Sequence, residues 1–273
     1  MPHDFITLPV RRNLAISGGI DILLATRARQ LKRSLAFGSE VVRGQLEQLR
    51  LKREGLASRT RNAEWLHVCC ARALPRFGVQ LSLRGEAPPR GLIVSNHLSY
   101  LDILAFSAAL PCVFVSKADV ADWPIIGRFA AQAGTIFVQR EKQGDGSRAN
   151  SSIAECLRNG VRVVLFPEGT TTNGEQLLRF HSTMLQPAID AGETITPCAI
   201  RYALEDGVVQ NEICWWGNAP LGPHLLNLLG KRQVKATIAF GDPLPAAGDR
   251  KILGLELRSR VAALYEQARA KSL

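Results

Sequence analysis

The sequence predicts an α/β fold: a central, mainly parallel sheet with helices on both faces, preceded by an amphipathic N-terminal helical segment. Two observations carry this. From Val79 onward, short apolar runs alternate with helical segments of about a dozen residues, the pattern of a covered parallel sheet. Two polar, punctuated motifs, Asn96–Asp102 and Phe166–Glu175, each follow directly on such an apolar run. Open α/β sheets bind their ligands at that position, beyond the carboxyl ends of the strands.

Taken in order, residues 1–60 form a basic, partly helical segment with a helix expected near Glu40–Arg53, and residues 61–273 form the main domain. Asn62–Phe77 sets Trp65, Leu66, Cys69, Ala73 and Phe77 at helical spacing, with Pro75 near its end. That face suits packing on the sheet, and its Trp with flanking arginines also suits contact with a lipid interface. Strands are expected at Val79–Leu83, Leu92–Ser95, Cys112–Val115, Thr135–Val138, Arg162–Phe166, Thr194–Arg201 and Val234–Phe240. Helices are expected at Leu101–Leu110, Ile125–Gln132, Ser147–Arg158, His181–Asp190 and Lys251–Lys271, with a polar loop at Glu141–Gly146.

Composition narrows the function classes. At 273 residues, 46% hydrophobic and 21% charged, the chain can bury a substantial core. Its net charge is +10, and residues 1–61 hold twelve Lys and Arg against five Asp and Glu. Such a segment suits anionic headgroups, an acidic carrier protein or nucleic acid, and also serves as a solubilising face. The six cysteines show no C-x-x-C pair and no histidine at zinc spacing, so a reducing, cytoplasmic compartment and no structural metal are expected. The first thirty residues lack the order of a secretory signal. Ile103–Ser116 is short and broken by Pro111, and Ile213–Gly230 is interrupted by Gly217, Pro220, Gly222 and Pro223. Neither reads as a membrane span, so membrane contact is expected to be peripheral.

The chemistry concentrates in "NHLSYLD", Asn96–Asp102. Within one helix, a five-residue separation would set His97 and Asp102 about 140° apart. They can face each other only if His97 lies in the strand-to-helix turn and Asp102 in the first helical turn. Asp102 would then accept the Nδ1 proton and leave Nε2 free to take a proton from a hydroxyl. His97 as a helix-capping residue is the plainer alternative. No G-x-S-x-G elbow is present, so a substrate hydroxyl attacks directly rather than an enzyme serine. The second motif, "FPEGTTTNGE", turns at Pro167 and Gly169 and sets Glu168 where it can meet substrate hydroxyls.

Together these motifs resemble the glycerolipid acyltransferase family typified by 1-acylglycerol-3-phosphate O-acyltransferase, whose signature is H-x-x-x-x-D followed by F-P-E-G-T. Here Phe166 follows His97 by 69 positions. "GTIFVQR" (Gly134–Arg140), "ITPCAI" (Ile195–Ile200) and the linking "VSKADVADWPIIG" (Val115–Gly127) resemble further family blocks, so the match runs from about Trp65 to Phe240. The resemblance implies His97 as general base and Asp102 as its partner. It implies Glu168, Gly169, Thr170 and Arg140 on the acceptor side, and Asn96, Phe137 and Pro197 on the acyl-donor or pocket side. It also implies a lysolipid acceptor, acyl-coenzyme A or acyl-carrier protein as donor, no bound cofactor or metal, and a place on the cytoplasmic face of a membrane. One departure stands out. Family members acting on lysophosphatidic acid usually carry Arg directly after F-P-E-G-T, and this chain has Thr171. An Arg fork is the favoured phosphate binder. Either Arg179 substitutes, or the acceptor lacks a terminal phosphate, as in the enzymes completing ornithine lipids, which this variant also resembles. A basic membrane- or nucleic-acid-binding protein would explain residues 1–61 and leave both motifs unexplained; no nucleic-acid signature supports it.

Overall fold

The computed structural model describes residues 14–139 and 145–270. It begins with two helices, α1 (Leu14–Arg53) and α2 (Arg59–Arg76), which precede the strand β1 (Val79–Arg84). There follow β2 (Leu92–Ser95), α3 (Leu101–Ala109), β3 (Val113–Lys117), α4 (Ile126–Gln132), β4 (Ile136–Val138), α5 (Asp145–Arg158) and β5 (Val163–Leu165). The second half contributes α6 (Gln186–Asp190), β6 (Thr194–Leu204), α7 (Val209–Glu212), α8 (Leu221–Gly230), β7 (Val234–Phe240), β8 (Leu244–Pro245) and α9 (Arg250–Ala270).

The strands form one sheet in the order β1-β7-β6-β2-β5-β3-β4, with β8 pairing β6. Pairing is parallel except where β6 meets β7 and β8. β2 lies near the middle with all four residues buried, the continuous apolar run of a strand covered on both faces. Alternate residues of β6 reach opposite layers. Tyr202 bonds to α3, whereas Arg201 lies over the ring of Tyr265 on α9. Pro197, which has no N–H, sits where β6 changes partner, between the Ile195–Leu244 and Cys198–Phe240 pairings.

Three elements depart from the expected pattern. The N-terminal helix starts at Leu14, far ahead of the expected Glu40, because its pattern is inverted. Its inner face is largely polar, with Phe37 and Leu51 as its core contacts. Glu40, 6% exposed, receives Arg72 and Arg76 from α2, and Arg72 also reaches Glu47. Arg29 and Arg33 donate to the carbonyls of Gly230, Leu229, Lys231 and Arg232, satisfying the open C-terminal end of α8. Its outer face exposes Leu24, Leu31, Leu35, Val42, Leu46 and Leu49. Helix α8 itself went unanticipated, since Gly222 and Pro223 read as breakers. Pro223 falls in the first turn, where an N–H would have no helical acceptor anyway. The segment expected to be helical from His181 opens as a 3-10 turn, Ser182–Leu185, before α6. Among the described residues, no helix is long and apolar enough to cross a membrane.

For the Trp65 face the packing reading holds. Trp65 is 5% exposed, stacks on Phe129 at 5.3 Å and donates its indole N–H to the carbonyl of Gly44 at 3.1 Å. That approach needs glycine: a Cβ at Gly44 would meet the Phe129 ring at 3.0 Å and Cys69 Sγ at 3.3 Å. Gly44→Leu is therefore expected to lever α1 away from α2 at a cost of about 1–3 kcal/mol. The check is hydrogen exchange, rising along α1 while β2, β5 and β6 keep their protection.

Candidate active site

The sheet delivers two loops to the same place. β2 and β5 are parallel neighbours, so the loops leaving Ser95 and Leu165 lie side by side at their carboxyl ends. The amide of Thr172 donates to the carbonyl of His97 at 3.0 Å and ties the loops together.

His97 lies in the turn after β2, and Asp102 in the first turn of α3, as the five-residue spacing requires. The Nδ1 atom of His97 is 2.7 Å from Oδ2 of Asp102. That oxygen also accepts the backbone N–H groups of Leu98 at 2.6 Å and Ser99 at 3.0 Å, a side chain of the first helical turn reaching back to the turn before it. Oδ1 accepts the hydroxyl of Tyr202 at 2.5 Å. Asp102 is fully buried, and these four donors meet its carboxyl oxygens there. A carboxylate facing Nδ1 selects the tautomer with a lone pair on Nε2. The imidazole is 19% exposed, and among the described residues nothing bonds to Nε2. Phe166 lies parallel beneath the ring, centroids 4.1 Å apart, and fixes its plane. Phe106 and Phe114 in turn support Phe166.

Glu168 faces the same loop but points inward. Its Oε1 accepts the N–H of His97 at 2.9 Å and its Oε2 that of Leu178 at 2.8 Å, at 4% exposure. Burial raises its carboxyl above the ordinary 4.5, with the two backbone donors opposing the shift. Gly169 turns the chain with φ +70°, and Thr170 stands exposed at the rim. The structure thus brings His97, Asp102, Glu168 and Gly169 together. Asn96 is buried instead against β6, exchanging two hydrogen bonds with the backbone of Ile200, at 3.0 and 2.8 Å. Pro197 sits below, paired with Val94. Phe137 is half-buried on β4, three strands from β2, or about 14 Å at ordinary strand spacing. Arg140 lies outside the described residues.

Several contributors escaped the sequence. Tyr202 holds Asp102 from a strand one hundred residues away, and Trp215 donates its backbone N–H to the carbonyl of Leu98 at 2.8 Å. No local signal marks either; only the strand order reveals them. Ser95 and Ser99, the serines nearest His97, are both fully buried. All six cysteines are buried and unpaired, and burial pushes Cys69 up to about 11 and Cys70 and Cys214 up to about 12, far from a reactive thiolate. Among the described residues, no three His, Cys, Asp or Glu side chains gather as metal ligands would.

Among the described residues, this is a class of site in which an oriented imidazole stands at the strand ends of an open α/β sheet and the neighbouring serines are buried. Comparison with known proteins gives that class its name. A family model described as acyltransferase matches residues 80–201. The chain is 40% identical over 199 residues to a lyso-ornithine lipid O-acyltransferase of Pseudomonas aeruginosa, covering 72% of this chain and 75% of that one. It is 38% identical over 138 residues to a 1-acyl-sn-glycerol-3-phosphate acyltransferase of Neisseria gonorrhoeae, covering 50% and 54%. The crystal structure of the 1-acyl-sn-glycerophosphate acyltransferase PlsC from Thermotoga maritima shares the fold, with a TM-score of 0.63 at 19% identity, over 92% of this chain and 98% of that one. The chain belongs to the glycerolipid and lysophospholipid acyltransferase family, and is an acyltransferase.

The buried Glu168 carries a prediction about stability. A carboxyl raised in the folded state binds its proton more tightly than the unfolded chain does, so its contribution grows on acidification. It is lost again as pH rises through the raised value. Compared with Glu168→Gln, the wild-type chain should gain in relative melting temperature as pH falls from neutral toward 4.5, as read by calorimetry at matched pH.

Proposed function

We propose that this enzyme transfers a fatty-acyl group from an acyl thioester to the hydroxyl of a lysolipid, with His97 as general base. The observation carrying the mechanism is the His97–Asp102 contact of 2.7 Å with Nε2 open. Nε2 removes the proton of the acceptor hydroxyl as its oxygen attacks the thioester carbonyl. The resulting tetrahedral intermediate expels the thiolate, which leaves with the proton held by the imidazolium. Asp102 keeps the ring oriented and stabilises its transient charge. Glu168 acts as a positioning residue, since its two oxygens hold the backbone at His97 and Leu178. Gly169 and Thr170 line the acceptor side.

A lyso-ornithine lipid type of acceptor, without terminal phosphate, is favoured by Thr171 at the position where a phosphate-binding Arg would stand. The greater share of the chain aligned with the lyso-ornithine lipid enzyme supports the same choice. Lysophosphatidic acid is the second reading. Its phosphate would meet Arg179, which is exposed close to the loop's return, where the amide of His181 donates to the carbonyl of Pro167. The donor is acyl-coenzyme A or acyl-carrier protein, both anionic partners for a chain of net charge +10. Docking is peripheral, on an anionic membrane surface. Its support is α1, whose Leu24, Leu31, Leu35, Val42, Leu46 and Leu49 face outward beside Arg27, Lys32, Arg50 and Arg53.

The test is transfer from labelled acyl-coenzyme A and acyl-carrier protein to a lysolipid panel. Lyso-ornithine lipid should be acylated faster than lysophosphatidic acid; the reverse order moves the acceptor to the second reading. His97→Ala should reduce turnover by about 10²–10⁴-fold while membrane and donor binding persist. Unchanged turnover would remove His97 from the mechanism.

A further inference from the structure

Tyr202 is a titratable side chain that the acyl-transfer step itself does not use. It lies on β6, 3% exposed, and its hydroxyl ends 2.5 Å from Oδ1 of Asp102. The other carboxylate oxygen already accepts three N–H groups. Without the phenol, Oδ1 would be a buried anionic oxygen with no donor. The carboxylate is thereby held with one particular oxygen toward the imidazole and part of its negative charge drawn away from it.

Resting on the acyl-transfer reading above, we infer that Tyr202 is a positioning residue that sets the basicity of His97 through Asp102, extending the His97–Asp102 pair to this β6 tyrosine. Burial first, and then the charge of Asp102, hold the phenol protonated well above its ordinary range, so it remains a donor wherever the enzyme works. The other ionisable groups facing the pair are Glu168, Tyr100, Cys214 and Tyr265. Burial keeps Tyr100, Cys214 and Tyr265 neutral at working pH. Glu168 is common to every variant compared and cancels in the comparison.

The experiment is Tyr202→Phe, which keeps the ring and removes only the hydroxyl. Losing a buried, charge-assisted hydrogen bond should lower kcat by about tenfold or more with KM little changed. The donor withdrawn, the carboxylate attracts the imidazole proton more strongly or itself holds a proton to higher pH. By either route the acid limb of the kcat/KM profile moves to higher pH. The imidazole resonances of labelled His97, titrated by NMR, should move in the same direction. In an Asp102→Asn background the same substitution should have little further effect, because the two act through one contact. If the phenylalanine variant fails to fold, fluorotyrosine at position 202 replaces it. As a stronger donor it should move the limb to lower pH. A limb that stays in place, with any loss of rate accompanied only by a lower melting temperature, assigns Tyr202 to packing and overturns the inference. Should the wild-type chain acylate no lysolipid, the functional reading fails, while the NMR comparison still decides what Tyr202 does to His97.

Discussion

A carboxylate taken wholly out of water costs several kcal/mol unless its lone pairs are met, and Asp102 is taken wholly out of water. Much of the local architecture follows from meeting that demand. The turn after β2 must curl so that Leu98 and Ser99 aim their N–H groups back at the side chain, which places His97 at the mouth of the turn. Helix α3 must start within reach of that turn. β6 must continue beyond the end of β2, from Cys198 to Leu204, so that Tyr202 arrives level with Asp102. The part-exposed imidazole is the outermost part of an arrangement whose inner part is a carboxylate surrounded by protein donors.

The second loop does for His97 what the first does for Asp102. Phe166 gives the imidazole a flat apolar floor, and Glu168 grips the backbone N–H of His97 from below. A ring held by a stack beneath and a hydrogen bond at one nitrogen has little rotational freedom left, which is the preorganisation that proton transfer rewards. The F-P-E-G-T run reads in this light as bracing: the phenylalanine supports, the proline and glycine turn, and the glutamate ties.

How much of this the sequence disclosed follows from range. The strand-and-helix alternation, the facing of His97 and Asp102, and the turn at Gly169 depend on residues a few positions apart, and all are legible from spacing. The tasks of Tyr202, Asn96 and Trp215 depend on partners about a hundred residues away, and nothing near them in the chain announces those tasks. Glu168 was legible as a strand-end polar residue but not as a buried one, because its partners are backbone amides that a sequence does not distinguish. Helix α1 defeated periodicity for a different reason. Its inner face meets ion pairs and carbonyl groups as well as the core contacts of Phe37 and Leu51, so the amphipathic signal is blurred.

Asn96 uses its side-chain amide as a substitute rung of ladder, pairing with Ile200 across a sequence gap of 104 residues. The loop that carries His97 therefore has no complete set of partners until β6 has been synthesised and docked. Closing so long a gap is entropically slow and comes late in folding. The active-site loop and β6 should open and close as one cooperative unit in the native protein. A partly folded chain lacking β6 would have its sheet begun and its His97 loop unpaired, so under the proposed mechanism activity reports completion of the fold.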